Sequence, residues 1–270
     1  MAPVRAVVSG ASSGIGRALV AEIAARHPAA SLLLIARREP LLTALAAELA
    51  ARHPRLHCTL AVLDLTARDA LDRHCRSFLA GGTPDLVIAN AGVSAGTATE
   101  TAAGRAAFRR IVDVNLLGMV DTLGPFIAPM RAAGRGTLVG IASVAGIRGL
   151  PGAAAYSASK AAVVSYLESL RVELHGSGVR VVTLTPGYIR TPMTSVNPYR
   201  MPFLMDADRF AVRALDAIEA GARYKVIPWQ MGIVARTLRM IPTGLYDRMF
   251  ARAPRKPVVD VGETREEERS

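Results

Sequence analysis

The sequence has very little cysteine and no long apolar run without a charge. Its 270 residues include two cysteines, Cys58 and Cys75, whose spacing fits neither a disulfide framework nor a metal site. The N-terminal segment MAPVRAVVSG has no basic stretch followed by a long apolar one, so we predict no secretory signal. We find no run of about 18 uncharged apolar residues and expect no transmembrane helix. These absences favour a protein of the reducing cytoplasm.

Lysine and aromatic residues are also scarce, although basic residues are abundant. The formal net charge is +11, yet only Lys160, Lys225 and Lys256 are lysines among the 33 basic residues. The arginines are scattered along the chain, and aromatic residues make up 5% of it. Nucleic-acid binding requires clustered basic residues interleaved with aromatics, and this pattern is absent. We therefore expect no nucleic-acid partner, while the excess charge suits phosphates or anionic lipid.

What is present is an alternation of short leucine-rich or β-branched runs with longer alanine-rich segments of helical period. Strands are predicted at 4–9, 31–36, within 56–65, at 85–90, 136–143, 179–186 and 224–228. Helices are predicted at 14–27, 39–52, 67–80, within 105–132, at 153–176, 207–221 and from about 229 onward. Continuous apolar runs are typical of parallel strands that are covered on both faces. We predict an α/β fold with a Rossmann-like, doubly wound parallel sheet flanked by helices.

A glycine-rich turn follows the first predicted strand. The segment SGASSGIG begins at Ser9 and spaces its glycines as G-x-x-x-G-x-G. Glycine lets the backbone approach a pyrophosphate closely, and the next helix points its free N–H groups at that charge. We expect this turn to bind a dinucleotide, and the alternative is a strand-to-helix turn without a ligand. The candidate binding residues of the turn are Gly10, Ser12, Ser13, Gly14, Ile15 and Gly16.

Two arginines close the second predicted strand. The segment IARR ends with Arg37 and Arg38. In dinucleotide folds an acid near this place binds the ribose hydroxyls of NAD, whereas an arginine accommodates the 2′-phosphate of NADP. A charge-assisted bond from Arg37 would contribute roughly 1.5–3 kcal/mol. We therefore predict NADP(H) as the cofactor over NAD(H), and the alternative is that Arg37 is a surface residue.

The segment YSASK places a phenol and an amine four residues apart, at Tyr156 and Lys160. On a helix these side chains share a face, so the alternative interpretation is an ordinary surface pair. An unperturbed tyrosine pKa of about 10 is too high for efficient proton exchange near neutrality. A cation one turn away stabilises the phenolate and lowers that pKa. We interpret Tyr156 as a proton donor controlled by Lys160.

Seven short motifs occur in one order along the chain. They are SGASSGIG, DL at 64–65, NAG at 90–92, Asn115 in VDVNLLG, Ser143 in IASVAG, YSASK, and PG at 186–187. Together they resemble the short-chain dehydrogenase/reductase family in its compact single-domain form. The resemblance covers about residues 4–190 and, more loosely, the chain to about residue 228. One departure is Ser9, where the family usually has threonine, but the hydroxyl is retained.

The resemblance implies a role for each matching residue. It implies that Asn115, Ser143, Tyr156 and Lys160 form a catalytic tetrad, with Ser143 holding a carbonyl oxygen and Asn115 anchoring a water near Lys160. The further cofactor-binding residues that it implies are Asp64, Leu65, Asn90, Ala91, Gly92, Pro186, Gly187, Ile189 and Thr191. Family members are commonly dimers or tetramers, which implies a homodimer or homotetramer paired through the helices predicted within 105–132 and at 153–176.

The predicted organisation is one cofactor-binding domain over residues 1–228, an apolar helical extension over 229–250, and a disordered charged tail over 251–270. Within the domain, the connection 188–206 holds three prolines and several large apolar residues. Long connections are usually functional or disordered. We expect this one to cover an apolar ligand, and the alternative is that its side chains only pack the loop down.

The predicted function is hydride transfer between NADP(H) and a small-molecule carbonyl or alcohol, with an apolar or lipid-like substrate. One rival is a redox sensor or scaffold that binds NADP without turnover. Another is a protein whose C-terminal helix matters more than catalysis. Three uses stay open for residues 229–250, which are too charged to span a bilayer: covering the substrate cavity, forming a subunit interface, or lying at a membrane surface.

Overall fold

The structure, a computed structural model, describes residues 4–197 and 199–253. Its strands are β1 (Arg5–Ser9), β2 (Ser31–Ala36), β3 (His57–Val62), β4 (Leu86–Ala89), β5 (Thr137–Ile141), β6 (Arg180–Pro186), β7 (Ile189–Arg190), β8 (Met205–Asp206) and β9 (Tyr224–Ile227). Its α-helices are α1 (Gly14–Arg26), α2 (Glu39–Arg52), α3 (Arg68–Leu79), α4 (Ala102–Val112), α5 (Gly118–Ala133), α6 (Ala154–Glu173), α7 (Pro192–Ser195), α8 (Ala207–Glu219), α9 (Trp229–Met240) and α10 (Thr243–Phe250).

Seven of the strands form one parallel sheet in the order β3-β2-β1-β4-β5-β6-β9. The chain runs outward from β1 to β3 and then crosses back to β4 on the other side of β1. Ligands of open α/β sheets bind beyond the carboxyl ends of the strands at such a reversal. The fold class predicted from the sequence is therefore confirmed, and the reversal places the glycine turn after β1 at the centre of the candidate site.

Two hydrophobic layers cover the sheet, one on each face. Val8 and Leu34 face the layer formed by α1, α2 and α8, whereas Val7 and Leu33 face the layer formed by α3, α5 and α6. Because neighbouring residues of one strand enter opposite layers, both must be apolar. This explains the continuous runs that predicted the sheet.

The long helix predicted within 105–132 differs most from its expectation. It begins earlier, at Ala102, and a π-helical turn, Asp113–Leu117, separates α4 from α5. Among the described residues, the helical run Ala102–Ala133 is long and apolar enough to cross a membrane by length and composition. The sequence criterion missed this run because it contains charged residues. Several of its apolar side chains pack beneath the sheet, such as Met119 and Phe126, which are buried there.

The apolar C-terminal segment forms two helices, α9 and α10, joined at Ile241–Pro242. The connection 188–206 contains the short β7–β8 pair and the single turn α7. Cys75 is buried and Cys58 is half-buried, and both are free thiols. The predicted tail falls mostly on residues 254–270, which lie outside the described residues.

Candidate active site

A cleft of about 340 Å³ lies at the carboxyl ends of the strands. It is lined by every predicted cofactor residue except Gly16, and by every predicted catalytic residue except Asn115. Strand order gives the cleft two ends. Arg37 and Arg38 follow β2 at one end, the glycine turn follows β1 in the middle, and Ser143 follows β5 at the other. Residues far apart in sequence are thus brought together as the motifs predicted.

The glycine turn forms a cradle that side chains would fill. Gly10 and Gly14 have positive φ angles of 69° and 54°, which favour glycine. A Cβ on Gly16 would lie 2.0 Å from the carbonyl oxygen of Gly10, so Gly16 allows α1 to pack against the turn instead of lining the cleft. The first turn of α1 has no side-chain cap from Ser13 and no acidic residue. Its N–H groups are therefore suited to a pyrophosphate.

Ser9 and Asn90 hold the turn against the end of β4. The Ser9 hydroxyl accepts hydrogen bonds from the backbone N–H groups of Asn90 at 3.2 Å and Ala91 at 3.3 Å. The Asn90 amide donates to the carbonyl oxygens of Ser9 at 3.1 Å and Gly10 at 3.3 Å. The departure from threonine at position 9 leaves the hydroxyl's acceptor role intact, because only the oxygen makes these bonds.

Three arginines and one carboxylate occupy the end of the cleft near β2 and β3. Arg110 donates a hydrogen bond to Asp64, and Arg37 lies 3.6 Å from the same carboxylate. Arg38 donates to the Ser13 hydroxyl at 2.6 Å. Burial acts to raise the pKa of Asp64, but hydrogen bonds from Arg110 and Thr66 outweigh it and lower the pKa to about 2.

Arg110 is the main residue of the cleft that sequence reasoning missed. It lies on α4, and in an arginine-rich chain nothing distinguishes it until the helix is folded against β3. Its Nε is buried without a hydrogen-bond partner among the described residues. The other lining residues that the motifs did not indicate are Ile35, Ala36, Leu63, Val93, Val114, Ile141, Ala142, Pro192, Met193 and Thr194.

At the opposite end, Tyr156 and Lys160 project from the first turns of α6 beside Ser143. The ammonium of Lys160 is buried, donates to the Ile141 carbonyl at 2.7 Å, and lies 5.9 Å from the centre of the Tyr156 ring. Burial lowers the pKa of Lys160 to about 8. Burial also raises the pKa of Tyr156, and a hydrogen bond with Ser143 opposes that rise only in part.

The expected lowering of the Tyr156 pKa by Lys160 is therefore wrong for the protein without ligands. The reason is that the Lys160 ammonium donates its hydrogen bond to a backbone carbonyl while desolvation disfavours the phenolate. The consequence is a phenol that is protonated at neutral pH, which is the form a proton donor needs.

Asn115 is fully buried in the π-helical turn and contacts the site indirectly. Its Oδ1 accepts from the N–H of Val93 at 2.8 Å, and its Nδ2 donates to the carbonyl of Val93 at 3.0 Å. The same Nδ2 donates to the Ser159 hydroxyl at 3.1 Å, which in turn donates to the Tyr156 carbonyl at 2.9 Å. Asn115 thus ties the loop after β4 to the catalytic turn of α6, and its role in anchoring a water stays a prediction.

Two segments that follow β6 reach the site: helix α9 and the connection that contains Thr191. A Cβ on Gly187 would lie 2.5 Å from Cγ of Met231, so α9 packs directly against the segment that follows β6. Thr191 closes the capping box of α7 and lies near Gly14, where a Cβ would meet its Cγ2 at 3.1 Å. The connection after β6 therefore lies between the glycine turn and the end of the cleft that contains Ser143 and Tyr156, which we call the reactive end.

The residues present fit a dinucleotide cofactor. The cradle has no room for side chains beyond glycine, an uncapped helix N-terminus faces the middle of the cleft, and basic groups lie where a ribose phosphate would end. Tyr156 and Lys160 would hold the nicotinamide ribose, and Pro186 and Gly187 would lie beside the nicotinamide ring.

Comparisons with known proteins agree with this geometry. The family model described as short chain dehydrogenase matches residues 5–200. An uncharacterised oxidoreductase of Myxococcus xanthus is 39% identical over 243 residues, which are 90% of this chain and 94% of that protein.

Two solved structures share the fold. A short-chain dehydrogenase/reductase of Burkholderia phymatum in complex with NAD superimposes with a TM-score of 0.77 at 24% identity, covering 94% of this chain and 97% of that one. A short-chain dehydrogenase of Sphingobium yanoikuyae in complex with NADPH gives a TM-score of 0.73 at 26% identity, covering 89% and 97%. The similar structures thus include complexes with both nicotinamide cofactors.

Proposed function

The chain belongs to the short-chain dehydrogenase family, and on that premise we propose that it transfers hydride between NADP(H) and the carbonyl or alcohol carbon of an apolar small molecule. The observation that carries the proposal is the convergence of Ser143, Tyr156 and Lys160 at one end of a cleft whose other end is lined by arginines. Ser143, Tyr156 and Lys160 indicate the reaction, and the arginines indicate the cofactor, so the proposal needs both sets of residues.

When bound, the nicotinamide supplies the hydride, and the side chains supply position, charge and a proton. The Ser143 hydroxyl holds the substrate oxygen as negative charge develops on it. Tyr156 donates its proton to that oxygen: its raised pKa keeps the proton on the phenol before the transfer, but does not itself make the phenol a stronger acid. The Lys160 ammonium lies close enough to stabilise the phenolate left behind.

The end of the cleft near β2 and β3 is where the adenine half of the cofactor would lie, and we call it the adenine end. The charged residues there support a preference for NADP(H). Arg37, Arg38 and Arg110 line the cleft there together with the single carboxylate of Asp64. The carboxylate is shared by Arg110 and Arg37, whereas Arg38 is bonded only to the neutral Ser13 hydroxyl. An excess of positive charge favours the 2′-phosphate of NADP, and a carboxylate engaged by arginines is a poor partner for the ribose hydroxyls of NAD.

The walls at the reactive end support an apolar substrate. Met193 and Ile189 line the cleft from the connection after β6. Tyr188 and Tyr199 of the same connection contact each other edge to face, with ring centres 6.3 Å apart. Burial raises the pKa of Tyr199 to about 12, and the nearby phenols of Tyr188 and Tyr156 add to that rise. Among the described residues, this connection contributes apolar and hydroxyl groups but no charged side chain to the cleft lining, which favours an uncharged, apolar ligand.

The test is cofactor consumption with a panel of carbonyls running from short polar ketones to long-chain 3-keto lipids. NADPH and NADH are compared in parallel, and the Tyr156→Phe variant is the blank. We expect turnover of the long apolar members with NADPH. Faster turnover with NADH would overturn the cofactor preference, and NADPH binding without turnover of any carbonyl would favour a non-catalytic NADP-binding protein.

We also infer that the protein is a homodimer or homotetramer. The support is the resemblance to the family, whose members commonly pair through the helices that correspond here to α4, α5 and α6. Sedimentation equilibrium measures the assembly directly, and a monomer at all concentrations would overturn the inference.

A further inference from the structure

Helix α9 has an apolar face that residues 4–197 and 199–253 leave uncovered. Met231 and Ala235 are buried against the domain. On the opposite side of the helix, Trp229 is 62% exposed, Ile233 55% and Met240 83%. Positions i, i+4 and i+11 lie on one side of an α-helix, so these three side chains form a single outward stripe. We call this stripe, together with Arg236 within it, the α9 face.

Positive charge accompanies this stripe. From Trp229 to Ala253 the chain has four arginines and one acidic residue, Asp247. Arg236 projects from the same side as the apolar residues, and Arg239 and Arg248 follow nearby. Within residues 4–197 and 199–253, none of these arginine side chains has a carboxylate partner. An apolar stripe bordered by unpaired arginines is typical of helices that lie in a lipid surface.

A second exposed aromatic lies beside the start of α9. Phe203 is 51% exposed, and its φ of 56° lies in the left-handed region that bulky residues rarely adopt. It lines a groove with Pro228 and Gln230, which flank Trp229, and with Arg209 and Arg213 of α8. Phe203 of the connection 188–206 and the two arginines of α8 therefore add an aromatic ring and positive charge beside α9, in a groove that also contains the carboxylate of Asp206.

We propose that the α9 face binds an anionic lipid surface, with its apolar side chains in the acyl boundary and its arginines at the headgroups. Charge decides between this partner and a second copy of the chain. A two-fold contact places the same patch on both subunits, so it would bury the unpaired arginines of both copies in one interface. An anionic surface instead neutralises each arginine and accepts the apolar stripe.

The consequence concerns access to the active site. Met231 on the inner side of α9 packs against Gly187 of the cleft, and Phe203 belongs to the connection that covers it. A lipid surface at the α9 face would therefore adjoin the connection 188–206. An apolar ligand would then reach the cleft from the lipid without crossing water.

Trp229 makes the proposal directly testable because it is the only tryptophan in the chain. The full-length protein is mixed with vesicles of phosphatidylcholine alone or with phosphatidylglycerol added, and tryptophan emission is recorded. We expect a blue shift, quenching by brominated acyl chains, and co-sedimentation with the anionic vesicles only. Salt should weaken the binding because the arginines are screened.

Two double variants retain the fluorescent reporter and separate insertion from general attraction to a basic protein. Ile233→Ser with Met240→Ser removes two apolar side chains of the α9 face and should lower the apparent vesicle affinity about tenfold or more. Leu41→Ser with Val62→Ser removes two exposed apolar side chains near the opposite edge of the sheet and should leave it unchanged. Equal loss in both variants, or none in either, would overturn the proposal.

The other occupants of the α9 face are also outcomes of this test. Vesicle binding that appears only after removal of residues 254–270 would show that the tail covers the face. A protein that ignores anionic vesicles but self-associates, and loses that association with Ile233→Ser and Met240→Ser, would assign the face to a second copy. Either result would overturn the lipid proposal without touching the proposed reaction, because Tyr156→Phe tests that separately.

Discussion

The cofactor cleft and the C-terminal helices have opposite distributions of polarity. In the cleft and directly behind it, polar groups are buried: Lys160 and Asn115 are almost inaccessible, and each is hydrogen-bonded to backbone. On α9, apolar groups are exposed: Trp229, Ile233 and Met240 face outward. A chain selected only for stable folding would expose these polar groups to solvent and bury these apolar side chains. The difference indicates that both regions are shaped by something they bind.

The free energies of burying these side chains lead to the same conclusion. Burying a large apolar side chain is worth about 1.5–3 kcal/mol, and α9 forgoes much of this at three positions. Burying an ammonium costs free energy even when it is bonded, which is why the pKa of Lys160 falls to about 8. Neither arrangement stabilises the fold, so substitutions in the two regions should affect different measurements.

The largest expected effect is in the cleft and is specific to chemistry. Tyr156→Phe removes the proton donor and should lower turnover roughly 10²- to 10⁴-fold, the range typical of general acids. Affinity for NADPH should fall by no more than about tenfold, because the one hydrogen bond lost to the ribose contributes about 0.5–1.5 kcal/mol. Stopped-flow or steady-state kinetics measures the first quantity, and titration of cofactor fluorescence measures the second.

Tyr166→Phe is the matched control for that change. Tyr166 lies on the same helix, α6, and packs against the layer under the sheet instead of lining the cleft. We expect Tyr166→Phe to keep nearly the turnover of the unmodified protein while Tyr156→Phe loses it. This result would show that the loss is specific to the active site and is not a general effect of removing a hydroxyl from α6. Near-normal turnover in Tyr156→Phe would falsify its assignment as the donor.

The next largest effect is expected at the adenine end of the cleft. Replacing Arg37 and Arg38 together by alanine should weaken NADPH binding about 10- to 100-fold, because charge-assisted bonds to the 2′-phosphate are lost. NADH binding should change little. Arg55→Ala, an exposed arginine beyond α2, serves as the control for net charge. Equal loss of NADPH and NADH affinity would show that the arginines support the fold instead of selecting the phosphate.

Much of the sheet could be predicted from sequence because parallel strands buried on both faces leave continuous apolar runs. The segment SLLLIA at 31–36 is an example, and β2 has the same bounds. The π-helical turn around Asn115 could not be predicted, because one shifted hydrogen bond leaves the apolar period of a helix nearly unchanged. Arg110 could not be found either, since only the fold brings α4 beside Asp64.

The pKa of Tyr156 shows a different limit. Spacing along a helix correctly predicted that Lys160 would lie beside the phenol. The size of the desolvation, and the carbonyl of Ile141 that engages the ammonium, depend on the packing of α6 against β5. Local sequence therefore predicts which groups meet, but not whether desolvation outweighs the attraction between them and so decides the net shift of the Tyr156 pKa.

A smaller effect is expected where the two regions meet. Arg148, in the loop after β5, donates hydrogen bonds to the carbonyl oxygens of Leu238 and Ile241, the latter at 2.7 Å. Its guanidinium stacks 3.9 Å from the ring centre of Tyr246, whose hydroxyl donates to Gly149 at 2.7 Å. Arg148→Met should lower the free energy of unfolding by about 1–2 kcal/mol, as measured by urea denaturation.

Arg131→Met, on the exposed last turn of α5, is the control and should change stability little. If the contact acts on the active site as well as on stability, Arg148→Met should also raise KM for an apolar substrate, because α10 no longer holds the loop between Ser143 and Tyr156. An unchanged urea midpoint would show that α9 and α10 are attached by apolar packing alone, and the two regions would then be independent.

The smallest effect should come from the α9 face in solution. Ile233→Ser exchanges an exposed apolar side chain for a polar one, so the free energy of unfolding should change by less than about 0.5 kcal/mol. Ile88→Ser, in the central strand β4, makes the same chemical change at a fully buried position and should cost several kcal/mol, since it leaves a cavity and an unpaired hydroxyl. Urea midpoints of the two variants measure the contrast. A large loss of stability in Ile233→Ser would mean that this side chain already packs against the protein, and the α9 face would then be part of the fold instead of a surface kept for a partner.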